Sequence, residues 1–282
     1  MIEEFGRRQS DGDAKRCKVT TWNSAEDLPA IEGLASIESA IWHIHQSFRG
    51  EEPFWRGHGD SAWSLSPQVY RGQTSSKGEF RSYNEKSLLW SFVSGAGVRM
   101  PNPPATDNYL AWMHLAQHYG LPTRLLDWTR NPLVALYFVV SDERSIGRDG
   151  CLWALSPTLL NDEQTGRPRF PTFHASILTE VITATFTGEH IAPAPTVFAF
   201  TAFQSDLRML VQQSTFTMHQ TKDDLRGLPS QQQVLHRFII PAALKHRLEN
   251  VLGAVGISHS SLFPDLGGFA QELKRTRFVE EP

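Results

Sequence analysis

The sequence predicts an α+β fold, on three observations. Strand-like and helix-like runs follow one another without the regular alternation of a doubly wound sheet. The chain has 282 residues, 40% of them hydrophobic, which is enough to bury one large core. Its charged fraction of 20% is that of a globular protein rather than a disordered one.

Each element has a local reason. Residues 1–18 read as a polar, mobile tail and 19–282 as a single domain. Ile37, Ile41, Ile44 and Phe48 recur at helical spacing and predict an amphipathic helix over 36–48. PFWRG reads as a strand, with Gly57 and Gly59 as a turn. Residues 72–78 read as a loop. Residues 79–94 read as a helix with Leu88, Leu89, Phe92 and Val93 inward. After the breaker segment 101–107, Asp107 is the expected cap of a helix from Asn108 to Tyr119, stopped by Gly120 and Pro122. TRLLDWT reads as a short strand or extended turn. Asn131 is an N-cap and Pro132 a first helical residue, and LVALYFVV behind them is apolar all round, hence buried.

Residues 150–156 read as a strand, and 158–196 as irregular around a strand at VITATFTG. Residues 207–219 read as a strand ending in a turn, so Gln212 and Gln213 alternate and only one faces a cleft. VLHRFII is a strand stopped by Pro241. A helix over 242–254 follows, with Leu244, Leu248, Val251 and Leu252 inward. A turn and a short helix end the chain.

Composition excludes several functions. A net charge of -3 supplies no global field for nucleic acid or an acidic membrane. No run of eighteen apolar residues is present, and the polar start lacks the apolar core of a secretion signal. No membrane partner and a cytoplasmic location are therefore expected. Two cysteines, Cys17 and Cys151, exclude a disulfide framework and a cysteine-built zinc site. Gly57 to Ala62 matches G-x-G-x-x-A, but Trp63-Ser64-Leu65-Ser66-Pro67 follows where a dinucleotide fingerprint needs a helix. His114 and His118 stand four apart, a metal-ligating spacing, yet Leu115 occupies the place of the zincin base, and no metal is expected. Neither a phosphate-binding G-x-x-x-x-G-K loop nor a G-x-S-x-G elbow occurs.

Three segments are polar and aromatic where a pure core would be aliphatic. They are Phe54 to Gly57 with Trp63 and Arg71 downstream, Gln117 to Thr129, and Arg208 to Phe216 with His219 beyond. An arginine is expensive to bury unpaired. Arg56 and Arg124 therefore either pair with Asp127 or turn a guanidinium fork to a phosphate or carboxylate. Trp55, Trp63 and Trp128 read as core or cleft walls, with ring stacking as their other role. Asp127 and Thr129 read either as braces for the helix at Pro132 or as site residues.

These segments resemble the FRG domain family, named for a Phe/Tyr-Arg-Gly signature that here reads Trp55-Arg56-Gly57. WRGHGDSAWSLSPQVYR, QHYGLPTRLLDWTRNPLVALYFVV, RMLVQQSTF and GISHSSLFPDLGGFA carry the likeness from about residue 35 to 275. The third block has Ser214 where the family usually has Gly. The arrangement also resembles, remotely, that of ADP-ribosyltransferases. That likeness implies a split, partly antiparallel sheet with flanking helices and NAD as substrate. Arg56 would bind NAD phosphate, with Gly57, Arg71, Arg124 and Thr129 also in the cofactor set. Trp63 or Trp128 would wall the ring pocket, and Asp127 with Gln212 or Gln213 would orient ribose. A glutamate is missing from the third motif, and Gln hydrogen-bonds a hydroxyl but takes no proton. Asp127 would then supply the carboxylate, with Glu180 as a further one, and His118 or His219 would serve as base.

The expected function is an NAD-cleaving ADP-ribosyltransferase or glycohydrolase, in the setting of a toxin or antiphage defence effector. Its acceptor would be a protein or nucleic acid, and a neutralising or regulatory protein is a further expected partner. One alternative is a non-catalytic ligand-sensing or protein-binding module. Another is a nucleic-acid-processing enzyme, which would need a continuous basic groove with spaced aromatics.

Overall fold

The computed structural model describes residues 30–74, 80–166, 176–189, 195–201 and 206–276. The expected tail over 1–18 lies outside them. In chain order the elements begin with helix α1 (Leu34–Ser47), strand β1 (Phe54–His58) and helix α2 (Gln68–Arg71). The two-residue strands β2 (Gln73–Thr74) and β3 (Phe80–Arg81) follow, then α3 (Glu85–Ala96), α4 (Tyr109–His118), β4 (Leu125–Thr129) and α5 (Pro132–Val140). Next come β5 (Gly150–Leu155), α6 (Pro157–Thr165), α7 (Ser176–Thr187), β6 (Val197–Phe200), α8 (Leu207–Val211) and β7 (Ser214–His219). The chain continues with α9 (Gln231–Val234), β8 (Leu235–Ile240), α10 (Lys245–Ala254), α11 (His259–Leu262) and α12 (Leu266–Thr276).

Six strands form one open sheet in the order β6-β7-β4-β1-β5-β8, every pairing antiparallel. The sheet all but parts in its middle. β4 and β7 share five registered pairs and β1 and β5 another five, whereas β1 meets β4 only at Trp55 opposite Thr129. Continuing that register would set Gly57 opposite Asp127. The strands have separated there, and the Arg56 guanidinium reaches across, Nη1 donating to the Asp127 carbonyl. A side chain thus takes an acceptor that a continuous ladder would satisfy with backbone N–H.

Period-two alternation gives the sheet two unlike faces. One face carries Trp55, Leu152, Ala154, Phe238 and Ile240 and packs on α5, α1 and α10. Helix α5 is the centrepiece. Asn131 Oδ1 accepts from Leu133 N at 2.9 Å, Pro132 begins the helix, and six of its nine residues are buried. A fully buried aliphatic side chain of this kind contributes about 1.5–3 kcal/mol. Gly57 is where α5 and β1 touch: a methyl there would lie 1.9 Å from the Ala135 carbonyl oxygen. Further along the same face, Leu125, Phe198, Phe200, Phe216 and Met218 pack on α3, α4 and α7. The opposite face carries Phe54, Leu126, Trp128, Cys151, Trp153 and Leu155.

Several expectations need correction. Gly57 lies within β1, because α5 demands a residue without Cβ there, so it is no turn glycine. Gln73–Thr74 pairs with Phe80–Arg81 as a small ribbon, where a loop and then a helix were expected. Asn84 caps α3, taking the Ser87 amide at 3.0 Å, and Asn108 rather than Asp107 caps α4, taking the Ala111 amide at 3.2 Å. The stretch 158–196 is largely helical where described. VITATF belongs to α7, since Leu178, Val181, Ile182, Thr185 and Phe186 fall on one buried helical stripe that overrides β-branched propensity. Residues 207–219 are a helix and then a strand. Asp206 caps that helix by taking the Met209 amide at 2.8 Å, and Gln213 turns the corner at φ +48°. Strand β6 was not anticipated. No helix among the described residues is long and apolar enough to cross a membrane.

Candidate functional site

The sheet's two faces divide the candidate residues. Arg56 and Trp128 point to the face opposite α5, together with His58, Thr217 and His219. Arg56 is half-buried. Its Nε donates to His58 Nε2 at 3.0 Å and its Nη1 to the Asp127 carbonyl. No carboxylate among the described residues lies within ion-pair distance of it. Burial pushes the Arg56 pKa down to about 10, opposed by the nearby Asp127 and assisted by Arg71. Arg71, at the end of α2, donates Nε to the Ser66 carbonyl at 3.0 Å and likewise has no ion-pair partner among the described residues. Arg226 completes the group but is committed to Asp224 by a 2.6 Å contact from Nη2 to Oδ2.

The histidines beneath report the local field. Burial, then Arg56, Arg71 and Arg226, push the His58 ring down to about 2. Burial and Arg56 push His219 down to about 3. Both rings are neutral at any physiological pH. His219 Nε2 shares a hydrogen with Thr217 Oγ1 at 2.9 Å, and Thr217 Oγ1 accepts from Trp128 Nε1 at 3.0 Å. The Trp128 ring is therefore core, and it serves as a wall behind the arginines. Trp63, half-buried, sets its ring 5.9 Å from His58. Cys151 lies in the same core, its thiol pushed up to about 12 by burial, so it carries no thiolate chemistry.

The other face holds the remaining candidates. Asp127, exposed, accepts from Gln117 Nε2 at 2.6 Å, and Gln117 Oε1 accepts from Thr123 Oγ1 at 2.5 Å. His118 Nδ1 lies 3.5 Å from Asp206 Oδ2. Asp127, Gln117, His118 and Asp206 line a cavity of about 90 Å³ with His114, Arg208 and Gln212. His114 stacks on Phe216 at 4.7 Å, and burial pushes its ring down to about 4. Gln212 is a buried tie: its Nε2 donates to the Leu262 carbonyl at 3.0 Å and its own carbonyl accepts from Thr129 Oγ1 at 2.6 Å. Gln213 sits on the corner, its carbonyl accepting from the Arg130 amide at 3.1 Å. The expected alternation of Gln212 and Gln213 on a strand does not occur, because neither is in β7.

Arg124 belongs to neither group. Its backbone N and Nε each donate to Glu85 at 2.8 Å. Glu180 lies exposed on α7, in none of these groups. Gly57 Cα faces α5, away from the arginines.

Sequence reasoning missed His58, Asp224 and Arg226. His58 follows Arg56 by two on the strand, and that period alone places both on one face. Arg226 and Asp224 arrive from a distant loop and left no signal.

No curated protein and no solved structure matches the chain. Residues 51–147, spanning β1 through α5 and including Arg56, Asp127 and Gln117, match the family model of the FRG domain. Over that segment the chain is similar to the FRG domain.

Proposed function

We propose that this domain binds NAD by its diphosphate at Arg56 and Arg71 and acts as an ADP-ribosyltransferase-like enzyme. One observation carries the reading: two arginines without carboxylate partners stand together on the parted sheet, beside Trp63. A guanidinium desolvated without a counter-ion is costly to keep, and an oxygen-rich dianion is the ligand its planar fork fits best. His58 and His219, held neutral, add no competing charge. Asp127 leaves the opposite face beside the parting and is oriented by Gln117, so the dinucleotide would have to cross the parting between β1 and β4 for that carboxylate to orient ribose or take a proton from the acceptor. The bond broken would be that between ribose and nicotinamide, with the electron pair leaving on the nicotinamide nitrogen and an acceptor nucleophile or water taking its place.

The test is nicotinamide release from NAD by wild type, Arg56→Ala and Asp127→Ala, with and without lysate as acceptor. Release lost in both variants supports the reading, and dependence on lysate distinguishes transfer from hydrolysis. Absence of both release and calorimetric NAD binding in the wild type rejects it.

A second reading, a ligand-sensing module without catalysis, is favoured by two details. Gln212 is spent on Leu262 and Thr129. The cavity at Asp127, at about 90 Å³, is far below the ~300 Å³ at which ligand pockets begin. Phosphate binding without nicotinamide release would select it.

A further inference from the structure

A second cavity, of about 710 Å³, opens between the start of α3, helix α2, the end of α7 and the segments flanking β6 and β7. That volume falls within the range of small-molecule sites, about 300–1,000 Å³. Its walls are polar but nearly balanced in charge. Glu85 is consumed by Arg124, whose terminal amino groups have no acceptor among the described residues. Lys86 donates to the Thr187 carbonyl and keeps its other protons. Glu189 lines the cavity too and offsets part of that charge. Such a balance does not suit a polyanion and does suit a ligand with one anionic group. Tyr70 and Tyr83 supply flat apolar surface, and Tyr70 is fixed by its hydroxyl donating to the His219 carbonyl at 3.0 Å. Asn84, whose Oδ1 caps α3, offers its Nδ2, and Gln220, whose Nε2 donates to the Pro195 carbonyl at 2.6 Å, offers its Oε1 to ligand hydroxyls.

We propose that this cavity binds a ribonucleoside monophosphate. The base would lie against the tyrosines, the ribose hydroxyls against the amides, and the phosphate between Lys86 and Arg124. The site is separate from Arg56 and does not depend on NAD cleavage.

The experiment is calorimetry of the full chain with adenosine 5′-monophosphate and with adenosine, on wild type, Lys86→Ala, Tyr83→Leu and Arg56→Ala. Wild type should bind the monophosphate more tightly than adenosine. Lys86→Ala should weaken the monophosphate about tenfold and leave adenosine unchanged. Tyr83→Leu should weaken both, and Arg56→Ala neither. No binding of either compound by wild type overturns the proposal. So does binding that survives Lys86→Ala but is lost in Arg56→Ala, which would assign the ligand to the arginines on the sheet.

Discussion

Two cations stand at the two ends of the story told by β1, and they are treated in opposite ways. Lys245 of α10 is buried, and its Nζ donates at 2.6 Å to both the Gly59 and Ser145 carbonyls. Asp60, Asp142 and Asp149 supply opposing charge nearby. Three residues earlier than Gly59, Arg56 has a histidine and one carbonyl, with Asp127 nearby opposing and Arg71 adding charge of its own sign, and no carboxylate among the described residues within ion-pair distance. The Lys245 cluster is closed: one donor bond ends on the loop that follows β1 and the other on the 3-10 turn Glu143–Ser145, and its work is to hold α10 there. The Arg56 cluster is open in charge. Burial alone thus does not mark a functional cation; what marks it is whether the fold has already neutralised it.

The largest expected effect concerns protons. His58, His114, His219 and His236 sit near 2, 4, 3 and 4, pushed down first by burial. In the unfolded chain each ring titrates near its ordinary ~6.5. Their contribution to stability is therefore whole above about 6.5 and is lost as pH falls toward the folded values, at about 1.4 kcal/mol per pH unit for each ring that stays neutral. Urea unfolding at pH 7, 6 and 5 should show a steepening loss. A flat profile would mean that the rings titrate normally. Arg56→Met should make the loss shallower, because His58 and His219 each lose a charge that opposes protonation.

Lys245→Met comes next. It keeps the apolar stem but strands two carbonyls, costing about 3 kcal/mol, measured as a lower urea midpoint at pH 7. Full stability in this variant would erase the contrast between the two cations. The smallest change in stability is expected at Arg56 itself. Arg56→Met gives up two hydrogen bonds yet removes an uncompensated charge, so unfolding should shift by less than about 1 kcal/mol. Thermal stabilisation of the wild type by inorganic pyrophosphate should vanish in that variant. Retained stabilisation would place the anion elsewhere.

The same contrast explains what was legible in the sequence. α5 was readable because Asn131, Pro132 and an apolar run state a cap, a start and a buried body locally. β1, β4, β5 and β8 were readable as short bounded runs. The split character of the sheet came from resemblance rather than periodicity, and its form is a nearly lost pairing between β1 and β4. α7 was hidden because its β-branched residues favour strand until tertiary burial chooses the helical stripe. Residues 207–219 were hidden because the turn depends on Asp206 capping and a left-handed Gln213. Asp127 and Arg56 were visible as chemistry, but not that their side chains leave opposite faces of the sheet, since the pairing that fixes each face is a long-range fact.

The outer strand β6 carries a consequence for how this protein meets copies of itself. Asn161 of α6 lays its carboxamide along that strand, Nδ2 donating to the Ala199 carbonyl at 2.9 Å and Oδ1 accepting the Ala199 amide at 2.8 Å. One side chain imitates a neighbouring strand and occupies the donor and acceptor through which a foreign β-segment would dock. Sheet extension on this side, whether by fibril growth or by an exchanged strand, first requires that amide to be expelled into solvent with α6 behind it.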